Sequence, residues 1–336
     1  MPIIEHDPWR EQYFAGVVCP DDVIVPTDDA DAYDLFPKHR WVYNKLLIAE
    51  SQNIRCAPHG MLPPIFPVFS KPIYNMRGMG TGSCVIRSLA QWQRRQAPGH
   101  MWMELLTGEH LSSDVAVING NPVWWRHATG IPLKGGAFDY WTIHADARPE
   151  LEGYCGGWLG HNLKGYTGMA NFETIGGRII ECHLRFSDQW PDLYGTGWVN
   201  AVVGLYANGK WSFADQDRRT GYSVVLFGAH GVNYAIDRSI VPKLIAEYPE
   251  VTSIQITFHE DKPPEAHAMP PGGFRLAIVN CWDLEAGFDV RDRLTLRFWS
   301  MGHTRLPRDG RRAEKSANHM TPTMRASPVR SGENAP

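Results

Sequence analysis

The sequence predicts an α+β fold built on antiparallel sheets, because its strand patterns come in pairs joined by turn signals. Met169–Thr174 and Arg178–Arg185 have the pattern of two strands, and Gly176-Gly177 between them supplies the positive φ that a tight hairpin needs. Asn119-Gly120 is a strong signal for a second hairpin. A third pair of strands flanks a glycine-rich loop. Helical patterns include residues 44–53 and 149–163.

Composition is ordinary for a soluble globular protein and argues against several classes of partner. The 336 residues are 43% hydrophobic and 21% charged, and this length has room for two or three subdomains. A net charge of −3 argues against nucleic acid or an anionic membrane as the main partner. No apolar run approaches a membrane span, and the N-terminus has no signal pattern. The six cysteines form no CxxC pair, so we expect reduced thiols in a cytoplasmic protein.

The hairpin at residues 169–185 concentrates charged side chains on one face. Side chains alternate along a strand, so folding about the glycine pair places Glu173 opposite Glu181, with about 5 Å between their Cβ atoms. His183 and Arg185 share the face of Glu181. A carboxylate pair suits Mg²⁺ bridging phosphate oxygens, and an arginine fork suits another phosphate oxygen. A solvated hairpin with cross-strand charge pairs is the alternative.

Phe66–Pro72 is an apolar strand with one lysine, Lys71, and the loop after it carries Gly78, Gly80 and Gly82. These glycines let backbone N–H groups approach an anion closely. No GK[ST] ends the loop and a strand follows it, so the loop matches neither a Walker loop nor a dinucleotide-binding fingerprint. A lysine on an apolar strand is costly without an anionic partner. We therefore expect Lys71 to face a phosphate ligand. For the three glycines, the alternative to a phosphate-binding loop is a flexible hairpin tip.

Two further residues have two interpretations each. Glu104 interrupts the buried strand HMWMELL, where it would either contact an adenine edge or pair with an arginine of the protein. Lys45 stands at the start of the helix at 44–53, and its position alone fits a solvated surface lysine equally well.

Taken in order, these elements resemble the ATP-grasp superfamily of carboxylate–amine and carboxylate–thiol ligases. The matching elements are Asn44-Lys45, Lys71-Pro72, Gly78–Gly82, the strand with Glu104 followed by Gly108-Glu109, and the hairpin GYTGMANFE…IIECHLR. The resemblance covers residues 23–190 well and the C-terminal third loosely. It implies two α/β subdomains that grip ATP between antiparallel sheets.

The resemblance also implies a role for each matching residue. Lysines and loop glycines would serve the phosphates, Glu104 with the backbone of the next two residues would meet adenine, and Glu109 or His110 would meet the ribose. Mg²⁺ would bind at the hairpin, and Arg185 would neutralise the transferred phosphoryl group. The implied ATP contacts are Lys45, Lys71, Gly78, Gly80, Gly82, Glu104, Leu105, Leu106, Glu109 and His110. The implied metal ligands are Glu173, Glu181 and His183.

This chain departs from the family pattern at two points. His183 stands where the family's E-x-N-x-R motif has an amide, and imidazole ligates Mn²⁺ or Zn²⁺ better than Mg²⁺. Mn²⁺ is therefore the alternative to Mg²⁺ here. The segment before Asn44 is also much shorter than the N-terminal domain of the family, a region that helps to bind the acceptor or to form dimers. A homodimer of this chain is one of the arrangements that the resemblance allows.

The implied activity is the activation of a carboxylate as an acylphosphate, followed by its ligation to an amine, on amino-acid-like small molecules. Lys71, Arg185 and Arg126 would be the catalytic residues, with Arg126 gripping a substrate carboxylate. A surface arginine stacked on Trp124 or Trp125 is the alternative for Arg126. A nucleotide-binding sensor or scaffold without turnover is the second class of function. A zinc hydrolase is the third, although the usual ligand spacing is missing.

The same reasoning divides the chain into four parts. They are a shortened N-terminal segment at 1–43, a small lid subdomain at 44–110, a large subdomain with a C-terminal extension at 111–302, and a disordered tail at 303–336.

The tail composition generates a prediction. Residues from about Arg308 onwards lack the apolar content to dock on a core, so their removal should leave the melting temperature and the affinity for ATP unchanged. Thermal melts of the full and truncated chains, with and without ATP, measure both quantities. A large loss of stability would show that the tail is packed.

Overall fold

The computed structural model describes residues 10–76, 80–133, 137–261 and 274–300. Gly78 of the predicted lid and the predicted tail 303–336 lie outside these ranges. None of the helices within them combines the length and apolar character needed to cross a bilayer. The helices are α1 (Glu11–Phe14), α2 (Asp29–Leu35), α3 (Lys45–Glu50), α4 (Leu89–Arg95), α5 (Pro149–Asn162), α6 (Trp198–Asn208), α7 (Ile240–Glu247) and α8 (Leu284–Thr295). The strands are β1 (Cys56–Pro58), β2 (Val68–Pro72), β3 (Cys84–Ile86), β4 (His100–Glu104), β5 (His110–Ile118), β6 (Asn121–Pro132), β7 (Phe138–Ile143), β8 (Gly168–Ile175), β9 (Arg178–His183), β10 (Gly221–Gly228), β11 (Tyr234–Ile236), β12 (Val251–Ile256), β13 (Phe274–Cys281) and β14 (Phe298–Ser300).

The smaller of the two main sheets has four antiparallel strands in the order β1-β4-β2-β3. On one of its faces, Met101 and Met103 belong to the same apolar cluster as Ala49 of α3. Lys71 lies on β2 directly opposite Met101, and cross-strand partners share a face of the sheet. The lysine therefore projects on the side of the sheet on which α3 lies.

The larger sheet has eight antiparallel strands in the order β12-β13-β10-β7-β6-β5-β8-β9. At one edge, β8 and β9 form the predicted hairpin, with Glu173 opposite Glu181 and Asn171 opposite His183. The pairing predicted from strand alternation is therefore confirmed. The prediction missed β7, which lies between β6 and β10 and joins the two halves of the sheet.

Over residues 111–114 of β5 and 171–174 of β8, alternation separates an apolar face from a polar face. Leu111 and Phe172 pack in one core cluster with Leu159 of α5. The neighbouring residues Ser112 and Glu173 are cross-strand partners on the opposite face. On the far half of the sheet, α7 and α8 cover β10, β12 and β13 with a second apolar cluster. The polar face is the one that carries the predicted site.

Gln52, just after α3, fixes this helix against the edge strand β9. Its side-chain amide donates to the carbonyl of Ile179 at 2.7 Å and accepts from the N–H of Ile179 at 2.8 Å. At the other end of α3, the Asn44 side chain caps the helix by accepting from the N–H of Leu46 at 3.0 Å. The first residue of the capped helix, Lys45, is consequently brought to the polar face beside β9.

The tip of the β8–β9 hairpin generates a stability prediction with a matched control. Gly176 and Gly177 both have positive φ, +55° and +77°, so alanine at either site should cost about 1 kcal/mol of folding free energy. At Gly176 the new Cβ would also overlap the carbonyl oxygen of Thr107, whereas at Gly177 it would meet nothing within 4 Å. Gly176→Ala should therefore lower the free energy of unfolding distinctly more than Gly177→Ala in urea titrations. Equal losses would show that Thr107 does not constrain the tip.

Candidate functional site

Three side chains of the β8–β9 hairpin converge on the polar face of the larger sheet. Glu173, Glu181 and His183 each offer one ligand atom, and these three atoms all lie within 4.8 Å of one another. Two carboxylates and an imidazole at this separation can hold a divalent cation. We refer to these three residues as the ligand cluster. The sequence predicted all three, and the structure brings them together.

Lysines from two other elements lie beside the ligand cluster. The Nζ of Lys45 is 2.6 Å from Oε1 of Glu181, and the Nζ of Lys71 donates to the carbonyl of Ile180 at 2.8 Å. Both lysines are buried, with 6% and 3% of their surface exposed. Lys45 is thus not the solvated surface lysine that its position alone also allowed. Positive charges from α3 and β2 converge on the carboxylates of β8 and β9.

The environment shifts the pKa of Lys71 downward. Burial disfavours its charged form and lowers the pKa from 10.5 to about 8, although the nearby Glu181 carboxylate opposes the shift. Within the part of the chain that the structure describes, the ammonium group donates only to a backbone carbonyl, so its charge is incompletely compensated. An anion that entered beside Lys71 would therefore favour the charged lysine.

Glu173 and His110 stabilise each other's charged forms. The Nε2 of His110 lies 3.5 Å from Oε2 of Glu173. Burial by itself would raise the pKa of Glu173, but the positive groups of His110, His183 and Lys45 hold it well below its usual range. For His110, burial lowers the pKa and the Glu173 carboxylate raises it by more. Glu173 is therefore ionised across the physiological range and available as a ligand.

Asp29, the first residue of α2, contacts the same group of side chains and was not identified from the sequence. Its carboxylate lies 3.0 Å from Nδ1 of His183 and accepts from Nη2 of Arg185 at 3.0 Å. Burial would raise the pKa of Asp29, but Arg185 and His183 hold it well below its usual range. Arg185 follows the end of β9 and is engaged by Asp29 in this structure. In the sequence, Asp29 looks like an ordinary acidic residue in the first turn of a helix.

Asp114 is a second buried carboxylate that the sequence analysis missed. It accepts hydrogen bonds from the Asn171 side chain at 2.7 Å, from the N–H of Ser187 at 2.9 Å and from the Tyr194 hydroxyl at 2.6 Å. Burial raises its pKa to about 6 despite these donors. Asp114 thus ties β8 to the segment that follows Arg185. The sequence feature that could have identified Asp114 is its position as the single carboxylate in the run LSSDVAVI.

The residues predicted to meet adenine and ribose lie in and around the connection between the two sheets. Glu104 accepts a hydrogen bond from Nε of Arg55 at 3.2 Å, so it has an arginine partner in the protein, which was one of its two interpretations. Its contact with adenine stays a prediction. Glu109 lies 3.4 Å from Nη2 of Arg148. Leu105 and Leu106 follow β4, and His110 begins β5.

Two glycines of the predicted lid lie within the described residues. Gly80 and Gly82 have φ of +61° and +79°, in the left-handed region that favours glycine, and they precede β3. A Cβ at Gly82 would lie 3.2 Å from Nε2 of His100, so the backbone approaches β4 closely there.

Arg126 is a predicted site residue that is buried in the same cross-strand row as His183, because Arg126 lies opposite Asp114, Asp114 opposite Asn171, and Asn171 opposite His183. Its side chain is 1% exposed, and its Nη2 donates to the carbonyl of Leu193 at 3.2 Å. Its Nη1 lies 3.7 Å from Oδ1 of Asp215. This burial contradicts a surface arginine. The Nε and Nη1 of Arg126 are buried without a hydrogen-bond partner among the described residues, and its grip on a substrate carboxylate stays a prediction. The sequence indicated the alternation of β6. It did not indicate that Leu193 and Asp215 cover Arg126.

Comparisons with known proteins bear on the fold. A scan against protein-family models and a search of curated proteins found no match. Among solved structures, the chain is similar to an L-amino acid ligase from Bacillus licheniformis, with a TM-score of 0.56, 15% identity, and coverage of 87% of this chain and 83% of that one. It is similar to a phosphoribosylamine–glycine ligase from Thermotoga maritima, with a TM-score of 0.57, 15% identity, and coverage of 87% and 86%. A third is N5-carboxyaminoimidazole synthase from Aspergillus clavatus in complex with ADP and 5-aminoimidazole ribonucleotide, with a TM-score of 0.57, 13% identity, and coverage of 81% and 82%.

These likenesses span most of both chains in each case. Together with the mixed α/β architecture and its antiparallel sheets, they show that the chain has the ATP-grasp fold that its sequence predicted. The proposed domain boundaries, including the one at residue 110, remain predictions.

The lowered pKa of Lys71 generates a prediction about pH. A lysine with a pKa of about 8 in the folded state and about 10.5 in the unfolded chain destabilises the fold below pH 8. This cost fades as the pH rises from 8 to 10.5, because the folded state has already lost the proton. The stability of the wild type relative to Lys71→Met should therefore rise over this interval, by on the order of 1–3 kcal/mol.

Urea titrations at several pH values measure this difference. Lys164→Met, at an exposed lysine, is the control and should run parallel to the wild type. Parallel curves for Lys71→Met would show that Lys71 titrates normally in the folded protein.

Proposed function

We propose that the protein is an ATP-dependent ligase that activates a carboxylate as an acylphosphate and joins it to an amine, on amino-acid-like small molecules. The observation that carries this proposal is the ligand cluster of Glu173, Glu181 and His183 with two buried lysines, Lys45 and Lys71, beside it. Opposite charges of this kind, gathered next to the connection between two sheets, suit a nucleotide triphosphate and its cation. Two of the similar structures are amino-acid or glycine ligases by name, which supports an amino-acid-like substrate.

The residues present fit a divalent cation. Carboxylate oxygens of Glu173 and Glu181 suit Mg²⁺, whereas the imidazole of His183 also admits Mn²⁺. When bound, either cation would neutralise phosphate charge. Lys45 already contributes a positive charge to Glu181, and a phosphate that bound nearby would offer this ammonium a second anionic partner.

The chain's own groups would then bind and orient the reactants. Lys45 and Lys71 hold phosphate oxygens, and Arg185 neutralises the phosphoryl group in transfer after exchanging its contact with Asp29 for a phosphate oxygen. Gly80 and Gly82, with Gly78, cover the triphosphate through backbone N–H groups. The adenine lies along the connection between the sheets, beside Glu104, Leu105 and Leu106, with Glu109 or His110 at the ribose.

The reaction has two steps. The substrate carboxylate attacks the γ-phosphate, which forms the acylphosphate and releases ADP. An amine then attacks the acyl carbon, forms the amide bond and releases phosphate. Phosphoryl transfer of this kind depends on positioned cationic groups more than on a protein nucleophile. The lysines and Arg185 supply such groups, and the ligand cluster would hold a cation. Arg126 is the proposed partner of the substrate carboxylate.

A second candidate is an ATP-binding sensor or scaffold without turnover. The observation that favours it is the internal pairing of the cationic groups, Lys45 with Glu181 and Arg185 with Asp29. In a sensor these pairs would persist or change only with nucleotide binding. The free thiols of the six cysteines are consistent with a cytoplasmic location for either function.

An assay of ADP release over a panel of amino acids tests the ligase. Glu181→Gln keeps the shape but removes a ligand charge, so it should lower turnover on the order of 100-fold or more. ATP binding should fall less, because the lysines remain. Lys71→Met should abolish stabilisation of the protein by ATP in thermal melts while the unliganded protein stays folded. Glu150→Gln, at an exposed glutamate of α5, is the control and should behave as the wild type.

Each candidate function has its own outcome in this assay. ATP binding without acid-dependent ADP release would favour the sensor. Normal turnover by Glu181→Gln would contradict the proposed role of the ligand cluster. Unchanged ATP affinity of Lys71→Met would contradict the assignment of Lys71 to the phosphates.

A further inference from the structure

The imidazole of His183 is held by a buried carboxylate from a different part of the chain. Nδ1 of His183 lies 3.0 Å from Oδ1 and 3.1 Å from Oδ2 of Asp29, and both residues are 6% exposed. The two positions are 154 residues apart in sequence. An ionised carboxylate only accepts hydrogen bonds, so Nδ1 must carry the hydrogen. Arg185 lies farther from Nδ1, at 3.4 Å, and donates to Asp29 at 3.0 Å instead.

The other ring nitrogen of His183 points into the ligand cluster. Its nearest recorded partner is Oε2 of Glu181, at 3.7 Å, which is beyond hydrogen-bond distance. Among the described residues, no hydrogen bond to this Nε2 is recorded. A neutral imidazole with its hydrogen on Nδ1 has a lone pair on Nε2. With a cation bound, Nε2 would offer this lone pair beside the oxygens of Glu173 and Glu181.

The two oxygens of Glu181 have different neighbours. Oε1 is 2.6 Å from Nζ of Lys45, whereas Oε2 is the oxygen that faces His183. Lys45 therefore occupies Oε1, and Oε2 is the oxygen of Glu181 that could bind a cation together with His183. On that side the available donors are one oxygen of Glu181, one oxygen of Glu173 and one imidazole nitrogen.

We propose that Asp29 is a positioning residue that makes Nε2 of His183 a cation ligand, and that this ligand causes the site to prefer Mn²⁺ over Mg²⁺. The inference rests on the cation site of the proposed function. The physical reason is that a carboxylate behind a histidine fixes its tautomer and ring orientation and increases its basicity as a ligand. Nitrogen donors favour transition-metal cations, whereas Mg²⁺ prefers an all-oxygen environment.

The test compares the affinities of the full chain for Mn²⁺ and for Mg²⁺ by calorimetry in the absence of nucleotide. Asp29→Asn keeps the shape of the side chain but removes the charge that holds Nδ1–H. It should weaken Mn²⁺ binding about 10- to 100-fold. Mg²⁺ binding should change much less, so the preference for Mn²⁺ should fall. An unchanged preference would overturn the proposal.

Asp29 also pairs with Arg185, and the comparison of two cations separates the two roles. Release of the Arg185 charge would weaken the binding of both divalent cations by a similar factor, whereas loss of the imidazole orientation affects Mn²⁺ selectively. Equal losses would therefore overturn the proposal as well. In a His183→Asn background, Asp29→Asn should leave the Mn²⁺ preference unaltered, because the ligand through which it acts is gone.

A second carboxylate–histidine pair supplies the matched control. Nε2 of His127 lies 3.0 Å from Oε1 of Glu152, outside the ligand cluster. Glu152→Gln removes the same kind of contact and should leave both cation affinities unchanged. If it altered the Mn²⁺ preference as Asp29→Asn does, a general loss of stability would explain both effects.

A measurement on the wild type remains decisive if Asp29→Asn does not fold. Imidazole nitrogen NMR should show His183 with its hydrogen on Nδ1, and a stoichiometric amount of Mn²⁺ should broaden its signals. His183→Asn identifies the signals. A hydrogen on Nε2 alone with no broadening would overturn the proposal. Mn²⁺ binding through His183 without ADP release would contradict only the ligase, and ADP release without a Mn²⁺ preference would contradict only the role of Asp29.

Discussion

The pairing of Glu173 with Glu181 is the constraint on which the site depends. Strand register places these carboxylates side by side on the polar face, where each requires a positive partner. Lys45 approaches Glu181 from α3, and His110 approaches Glu173 from β5. Lys71 reaches the backbone of β9 from the smaller sheet. The carboxylates of one hairpin are thus neutralised by side chains from both sheets and from α3. The lysines among these positive groups also suit phosphate.

Local pattern was sufficient to predict the hairpin and the side chains on it. A glycine pair fixes the turn, and the two-residue period of a strand then determines which side chains share a face. That is why Glu173, Glu181 and His183 were found from sequence. The sequence also indicated that Lys71 is buried, because the residues on both sides of it form an apolar strand.

Contacts between distant parts of the chain account for what the sequence could not reveal. Asp29 is 154 residues from His183, and Arg55 is 49 residues from Glu104. A single sequence shows that a buried charge needs a partner but not which residue supplies it. Arg126 illustrates the same limit, since its partner at Leu193 lies outside any local pattern. The strand β7 was missed because FDYWTI has little polar–apolar alternation.

Gln52 has a consequence for how this molecule meets other chains. The strand β9 is the last of its sheet, and an open strand edge offers N–H and C=O groups to which a foreign strand can add. The carboxamide of Gln52 satisfies both backbone groups of Ile179, in the manner of a neighbouring strand one residue long. The edge next to the ligand cluster is thereby closed at this position to strand addition, without a ninth strand that would block the approach to the site.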